Sequence, residues 1–158
     1  MVNWRNTRIP KLEGEDKITS VFEMVINRTL ELGFQFCSFT MSSQLPTNST
    51  KPIHLNNYPN EWNLQYDQAH YFEVDPVVNH CKHCVLPIVR EEKLFTAVPS
   101  LWELARSQGV HLGWTQSVHD FQGVFSMLSL GRSEGAVSPE ELYEKAGHVL
   151  WLCHAMHA

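Results

Sequence analysis

The chain has 158 residues, of which 43% are hydrophobic and 18% charged, which is enough for one domain with a hydrophobic core. The formal net charge is -5 and no stretch is strongly basic, so nothing indicates a nucleic-acid-binding surface. No apolar run is long enough to span a bilayer, and the N-terminus lacks the apolar segment of a signal peptide. We therefore expect a cytoplasmic protein, not bound to membranes, whose four cysteines are reduced thiols.

Hydrophobic periodicity and turn residues predict the secondary structure. In chain order we expect a helix over 17–32, strands over 34–43 and 53–58 separated by a loop over 44–52, helices over 59–70, 75–84 and 98–109, strands over 110–120 and 123–132, and a helix over 138–157. The second strand of the last pair is apolar on both faces, with Leu128 and Leu130 on one and Phe125 and Met127 on the other. A sheet of this kind needs cover on both sides, so we expect an α+β fold, an α-β-α sandwich around a central antiparallel sheet.

Capping residues fix several of the predicted helix ends. Gly33 and Gly109 follow apolar helical stretches and are typical C-terminal stops. Ser138 is placed to cap the last helix, with Pro139 in its first position and Glu141 completing a capping box.

The sequence contains no motif typical of a metal site or of a catalytic site. The segment "HCKHC" at 80–84, with Cys153, His154 and His157 near the C-terminus, offers zinc ligand types. Its spacing is not that of a zinc knuckle, and buried free cysteines are common in cores, so we expect no metal site. There is no nucleophile elbow, phosphate-binding loop or dinucleotide fingerprint, so we expect neither an enzyme nor a cofactor.

The segment 62–76 concentrates three large aromatic residues and ends on an acid before a proline. Trp62 and Tyr66 are four residues apart, so on a helix they point the same way, and Asp75 begins the next helix. An inward-facing carboxylate beside an indole N–H and a phenol O–H would suit a small molecule with an amide and one or two carbonyls. Alternatively, Asp75 only caps its helix and the aromatic residues are core. The residue types alone leave both interpretations open.

A longer pattern in the same region is similar to a known family. It consists of Tyr58-Pro59, Trp62, Tyr66, Tyr71 and Asp75-Pro76-Val77-Val78 at their spacing in this chain. This pattern resembles the autoinducer-binding domain of LuxR-type quorum-sensing transcriptional regulators. The segments "GVHLGWTQSV" and "FSMLSLGRS" resemble later strands of that domain, including its glycine at Gly113. The similarity covers roughly residues 15 to 157.

The resemblance implies a fold and a ligand. The family fold is an α-β-α sandwich, which agrees with the expectation from periodicity. Its signal ligand is usually an N-acyl-homoserine lactone, enclosed between the sheet and the helices on one side. On this basis we expect Trp62 to donate to the lactone carbonyl, Asp75 to accept from the ligand amide N–H, and Tyr66 to donate to the acyl carbonyl.

Further pocket residues are implied by the same resemblance. Ser129 matches a strand position whose hydroxyl contacts the acyl carbonyl, Ser38 on the partner strand is placed near the polar end of the acyl chain, and Tyr58 lies along that chain. Candidate walls of the pocket, each of which has plain core packing as an alternative, are Tyr71, Val78, Leu101, Trp102 and Met127.

Arg90 departs from the family pattern. Family members usually carry a tryptophan at this point, which packs on the lactone ring, whereas this chain has "LPIVRE". A guanidinium stacks over a ring or reaches a carbonyl, but it is not an indole. Alternatively, Arg90 points to solvent and an apolar neighbour fills the space. The identity of the ligand head group therefore stays open, and another acylated or aromatic signal remains an alternative.

At the level of the whole protein, the resemblance predicts a ligand-sensing regulator that acts as a homodimer. We expect residues 1–158 to form one sensing domain, with the helix-turn-helix DNA-binding domain of the family absent from this chain and no DNA contact made by it. We favour a part of a longer regulator over a stand-alone sensor. The helices over 98–108 and 138–157 are candidate dimer surfaces. The main alternative is a ligand-independent module that dimerises with complete regulators.

Overall fold

The computed structural model describes residues 15–43 and 52–157. Their helices are α1 (Glu15–Glu31), α2 (Asn60–Gln68), α3 (Pro76–His83), α4 (Pro99–Ser107) and α5 (Pro139–His157). Their strands are β1 (Phe36–Ser43), β2 (Ile53–Asn56), β3 (Ile88–Val89), β4 (Trp114–His119) and β5 (Val124–Gly131). Short 3-10 helices lie at Tyr71–Glu73 and Glu92–Phe95. Of the loop predicted over 44–52, only Pro52 lies within the described residues.

The strands form one antiparallel sheet in the order β2-β1-β5-β4-β3. The predicted α+β fold with a central antiparallel sheet is therefore confirmed. The two-residue strand β3 was not predicted, because it is too short to show an alternation of apolar and polar residues. Its residues Ile88 and Val89 pair with Thr115 and Trp114 of β4. Because of this pairing, the next residue in the chain, Arg90, lies next to the sheet.

A separate hydrophobic core lies on each face of the sheet. The first core joins the sheet to α1 and α5, and its fully buried side chains include Val25, Phe34, Phe39, Trp114, Leu128, Leu130, Val149 and Leu152. The second joins the opposite face to α3 and α4 through Val77, Val78, Phe95, Leu101, Phe125 and Met127. β5 serves both, as its double-sided apolar pattern predicts. Within the described residues, no helix combines the length and apolar character needed to cross a membrane.

Two of the predicted helix stops have the same geometry. At Gly33 the backbone φ is +93°, Gly33 N–H donates to Leu30 and Phe34 N–H donates to Thr29. At Gly109, with φ +73°, the corresponding bonds run to Arg106 and, from Val110, to Ala105. Both ends are Schellman motifs, in which a left-handed glycine satisfies carbonyls that the helix leaves unpaired.

The start of α5 agrees with its prediction in part. Ser138 Oγ accepts from the Glu141 N–H at 3.1 Å, as expected for a helix cap. The Glu141 carboxylate does not complete a capping box, because it accepts from Arg132 at 2.5 Å and from Lys145 at 2.7 Å instead. These two cations lower the pKa of Glu141 to about 2, and they outweigh one bond to a backbone amide.

Gly113 is required by a close approach between two segments. Its φ is +150°, and a Cβ built on it would lie 1.9 Å from the Leu130 carbonyl oxygen and 2.8 Å from Arg90 Nη2. Both neighbours are fixed, since the Leu130 carbonyl belongs to β5 and Arg90 Nη2 donates to the carbonyls of Val110 and Leu130. Only glycine fits here.

We expect Gly113→Ala to lower the free energy of unfolding by about 2–4 kcal/mol, since the backbone must move away from β5. Gly147→Ala on α5 is the matched control, because a Cβ added at Gly147 would have no neighbouring atom within 4 Å. That change should leave stability equal or raise it by up to about 1 kcal/mol. Urea unfolding followed by circular dichroism measures both, and equal stability of the two variants would contradict the close approach.

Candidate ligand-binding site

A cavity of about 440 Å³ lies between the second face of the sheet and the helices that cover it. All six residues selected from the sequence line it: Ser38, Tyr58, Trp62, Tyr66, Asp75 and Ser129. The sheet contributes the two serines, and the segment from the end of β2 to the start of α3 contributes the others. The cavity therefore brings together residues from both halves of the chain.

The aromatic residues form a continuous stack along one wall. On α2 the rings of Trp62 and Tyr66 lie 5.4 Å apart between centroids and 25° from parallel, as their spacing of four residues predicts. Tyr58 meets the Trp62 ring edge-on at 5.5 Å, and Tyr71 lies 5.9 Å beyond Tyr66. Burial raises the pKa of Tyr58 to about 12 and that of Tyr66 well above its ordinary value. Both phenols are therefore protonated at neutral pH.

Asp75 caps α3 and also bonds to a second residue that lines the cavity, Tyr66. Its Oδ1 accepts from the Val77 N–H at 2.9 Å, which caps α3, and its Oδ2 accepts from the Tyr66 hydroxyl at 2.9 Å. Burial raises the pKa of Asp75, and the bonds from Val77 and Tyr66 and the charge of Arg90 oppose that rise. A carboxylate oxygen has two lone pairs, so each oxygen keeps capacity for another donor.

Arg90 points inward and lines the cavity, so the alternative in which it faces solvent is wrong. Its Nη2 donates to the Val110 carbonyl at 3.2 Å and to the Leu130 carbonyl. Its Nη1 donates to Thr115 Oγ1 at 3.4 Å. The cation is thus held by backbone carbonyls, and it forms no ion pair with Asp75 among the described side chains.

A row of hydroxyl groups crosses the sheet beside Arg90. Ser129 on β5 is directly opposite Ser38 on β1 and Thr115 on β4. Thr115 Oγ1 and Ser129 Oγ are 2.7 Å apart. Thr115 was missed by the sequence analysis, although its position one residue after Trp114 in an alternating strand places it on the cavity face.

The predicted apolar walls are partly correct. Val78, Leu101 and Met127 line the cavity. Tyr71 and Trp102 do not: the Tyr71 hydroxyl donates to Ser100 Oγ at 2.9 Å, and Trp102 packs on Phe95 in the second core. The remaining lining residues, which the sequence analysis did not select, include Thr40, His54, Asn56, Asn63, Asp67, Phe72, Phe95 and Ala105.

Local contacts account for His80, Cys81 and Cys84. Cys81 is fully buried in the second core, and His80 Nε2 lies 2.9 Å from the Leu86 carbonyl oxygen. Cys84 Sγ accepts from the Leu86 N–H at 3.5 Å. In the part of the chain that the structure describes, no group of three or more His, Cys, Asp or Glu side chains is placed to hold a metal ion.

The fold and cavity define a small-molecule-binding sensor domain, and comparison with known proteins identifies its family. The model of the "Autoinducer binding domain" family matches residues 17–158. The chain belongs to this family, and the resemblance to the sensing domain of LuxR-type quorum-sensing regulators is confirmed. The family binds ligands and is not an enzyme family, and the ligand-independent alternative is not favoured.

Two curated relatives and two solved structures show the extent of the similarity. The chain is 37% identical over 155 residues to the transcriptional activator protein AnoR of Acinetobacter nosocomialis, covering 93% of this chain and 61% of AnoR. It is 36% identical over 121 residues to the transcriptional activator protein PhzR of Pseudomonas fluorescens, covering 76% of this chain and 50% of PhzR. The chain thus spans between half and two thirds of these relatives.

The solved structures support the fold. CepR2 of Burkholderia cenocepacia, described as an N-acylhomoserine-lactone-dependent LuxR family factor, superimposes with a TM-score of 0.80 at 23% identity, covering 89% of this chain and 83% of CepR2. Escherichia coli SdiA superimposes with a TM-score of 0.81 at 23% identity, covering 98% of this chain and 65% of SdiA.

The bond between Tyr66 and Asp75 gives a testable titration. Tyr66→Phe removes a donor to the charged carboxylate, so the pKa of Asp75 should rise further in the protein without ligand. Tyr71→Phe is the control, because its hydroxyl bonds to Ser100. Carboxyl-carbon NMR titration measures both. An Asp75 pKa that is the same in Tyr66→Phe and wild type would show that the bond does not form in solution.

Proposed function

We propose that the cavity binds an N-acyl-homoserine lactone and that this binding is the signal-sensing step of the protein. The observation that carries the proposal is the donor and acceptor set of the cavity. Asp75, ionised, is acceptor-only, whereas the Trp62 indole and Arg90 are donor-only. A ligand with one amide N–H between two carbonyl groups is complementary to these donors and acceptors.

The roles proposed for the head-group residues follow from this complement. Asp75 accepts the ligand amide N–H with a lone pair that neither Val77 nor Tyr66 uses. Trp62 donates to the lactone carbonyl. The Tyr66 hydroxyl rotates from Asp75 to the acyl carbonyl, since its proton is needed at Asp75 only while the ligand N–H is absent.

The acyl chain is proposed to run along the sheet. Ser129 donates to the acyl carbonyl, Ser38 contacts the polar end of the chain, and Tyr58 lies along it. Val78, Leu101 and Met127 supply apolar contact for the methylene groups. This division of polar and apolar lining fits an amphipathic molecule with one polar end.

Binding is proposed to stabilise the fold and to lead to dimerisation in a transcriptional regulator. The relatives AnoR and PhzR are named transcriptional activators, which supports this role and a DNA-binding domain elsewhere in the regulator. Of the two candidate dimer surfaces, α5 is favoured, since it exposes Tyr143 and Trp151 whereas α4 buries its apolar residues. The cytoplasmic location stays a prediction.

The first experiment is thermal melting of the purified chain with N-acyl-homoserine lactones of graded chain length. A ligand at a thousandfold excess over Kd raises stability by about 4 kcal/mol, so a preferred lactone should raise Tm by many degrees. Octanoyl-rac-glycerol, which appears in a solved complex of SdiA, is the comparison ligand without an amide. Stabilisation by the glyceride and by none of the lactones would overturn the proposed ligand.

Asp75→Asn tests the head-group acceptor. Asparagine keeps an oxygen for the cap but turns an N–H2 donor toward the cavity, so affinity for the lactone should fall by about 1.5–3 kcal/mol. The melting temperature without ligand should stay equal or rise at neutral pH, because burial disfavours the charged carboxylate. Glu73→Gln, at an exposed acid two residues away, should change neither. Calorimetric titration with the lactone measures the affinity of the wild type and of both variants. Equal affinities of the wild type and Asp75→Asn would remove Asp75 from the head-group site.

A further inference from the structure

We propose that Arg90 is a specificity-determining positioning residue that fixes the direction of the hydrogen bond between Thr115 and Ser129. In this arrangement Ser129 presents its hydroxyl proton to the cavity, so the pocket takes an acceptor oxygen at that point and gains nothing from a donor. The inference rests on the proposed function, because it concerns the same cavity, and it adds a role for a residue that departs from the family pattern.

The guanidinium of Arg90 has a fixed position. The Arg90 N–H donates to the Gly113 carbonyl at 2.9 Å, which sets the backbone. Its Nη2 donates to two carbonyls, Val110 at 3.2 Å and Leu130, which uses both hydrogens of that nitrogen. The remaining terminal nitrogen, Nη1, faces Thr115 Oγ1 at 3.4 Å.

The chemistry of arginine decides how Thr115 is oriented. A guanidinium carries donors and no acceptor, so Thr115 Oγ1 must accept from Arg90. Thr115 has one hydroxyl proton, and Ser129 Oγ lies 2.7 Å away. The distance alone allows either hydroxyl to donate. If Ser129 donated, the proton of Thr115 would need another acceptor, yet this side chain has no exposed surface. Thr115 therefore donates to Ser129.

The consequence appears at the cavity surface. Ser129 is half-buried and lines the cavity. Because the Ser129 oxygen accepts from Thr115, the Ser129 hydroxyl proton points toward the cavity. There it donates to a carbonyl of the ligand. A side chain without donors at position 90 would leave a lone pair of Thr115 Oγ1 free to accept from Ser129, which weakens the preference for this direction. Arg90 thus acts on the ligand through two hydroxyl groups.

The hydrogen bonds from Arg90 to Thr115 and from Thr115 to Ser129 form a relay, and the direction of this relay is testable without any ligand. Thr115 is fully buried, so its hydroxyl proton should exchange slowly and give an NMR signal with a nuclear Overhauser contact to Ser129. The signal should shift or disappear in Arg90→Met and remain in Arg106→Met, a matched change at a surface arginine on α4. A slowly exchanging Ser129 hydroxyl that donates to Thr115 would overturn the inference. This result does not depend on which ligand the cavity binds.

The effect on specificity is measured with N-octanoyl-homoserine lactone and its thioamide analogue, in which a weakly accepting sulfur replaces the acyl oxygen. The ratio of their affinities should fall by about fivefold in Ser129→Ala, the value of one hydrogen bond. Arg90→Met should lower it in the same direction. Thr115→Val should leave it near the wild-type value, because valine offers no acceptor and the Ser129 proton still faces the cavity. In the Thr115→Val protein, Arg90→Met should therefore not change the ratio, and a fall there would overturn the relay.

A double-mutant cycle separates relay from direct contact. If Arg90 acts through Ser129, Arg90→Met should not change the affinity ratio further in the Ser129→Ala protein. A further fall in that background would show that Arg90 touches the ligand directly and would overturn the relay. A wild-type protein that binds neither lactone nor thioamide would instead count against the proposed function, and the hydroxyl-proton experiment would still decide the relay.

Discussion

The central strand β5 must satisfy two different environments, and the rest of the structure depends on how it does so. On one face, Leu128 and Leu130 are fully buried against α1 and α5, and the apolar packing is complete. On the other face the apolar residues Phe125 and Met127 give way to Ser129. The cavity lies where apolar packing on this face stops, so the candidate binding site is the part of the second core that the chain does not fill with its own side chains.

The polar groups around this gap support the proposed coupling between ligand binding and stability. Asp75 is held by Val77 and Tyr66, yet burial still raises its pKa, so these contacts do not replace the solvation it has lost. In the proposed complex the ligand N–H replaces Tyr66 as donor to the carboxylate, and the Tyr66 hydroxyl donates to the acyl carbonyl instead. The same amphipathic ligand covers apolar walls that otherwise border open space. The folded state therefore gains from the ligand at both its polar and its apolar end.

The sequence predicts what is periodic and local. The apolar alternation of β5 correctly predicts the two-faced sheet, and Gly33 and Gly109 end their helices as expected. The spacing of Trp62 and Tyr66 correctly predicts a shared face. The family pattern supplies Ser38 and Ser129, which no local periodicity would single out. Features that depend on distant partners were not predicted. The strand β3 exists only through its pairing with β4. The Glu141 carboxylate accepts from Arg132 and does not cap its own helix.

Arg90 shows this limit and its consequence most clearly. Whether it faced solvent or the cavity depended on the pairing of β3 with β4, on the approach of Gly113 to β5, and on the carbonyls of Val110 and Leu130. All of these partners lie at least 20 residues from position 90 along the chain. Once these are in place, a cation and the Asp75 carboxylate border one cavity without neutralising each other directly. Each is instead bound to fixed groups: Arg90 to carbonyls, Asp75 to an amide and a phenol. Apart from the proposed rotation of the Tyr66 hydroxyl, these donors and acceptors need little reorganisation when a ligand binds, so the binding energy can go into discriminating between ligands.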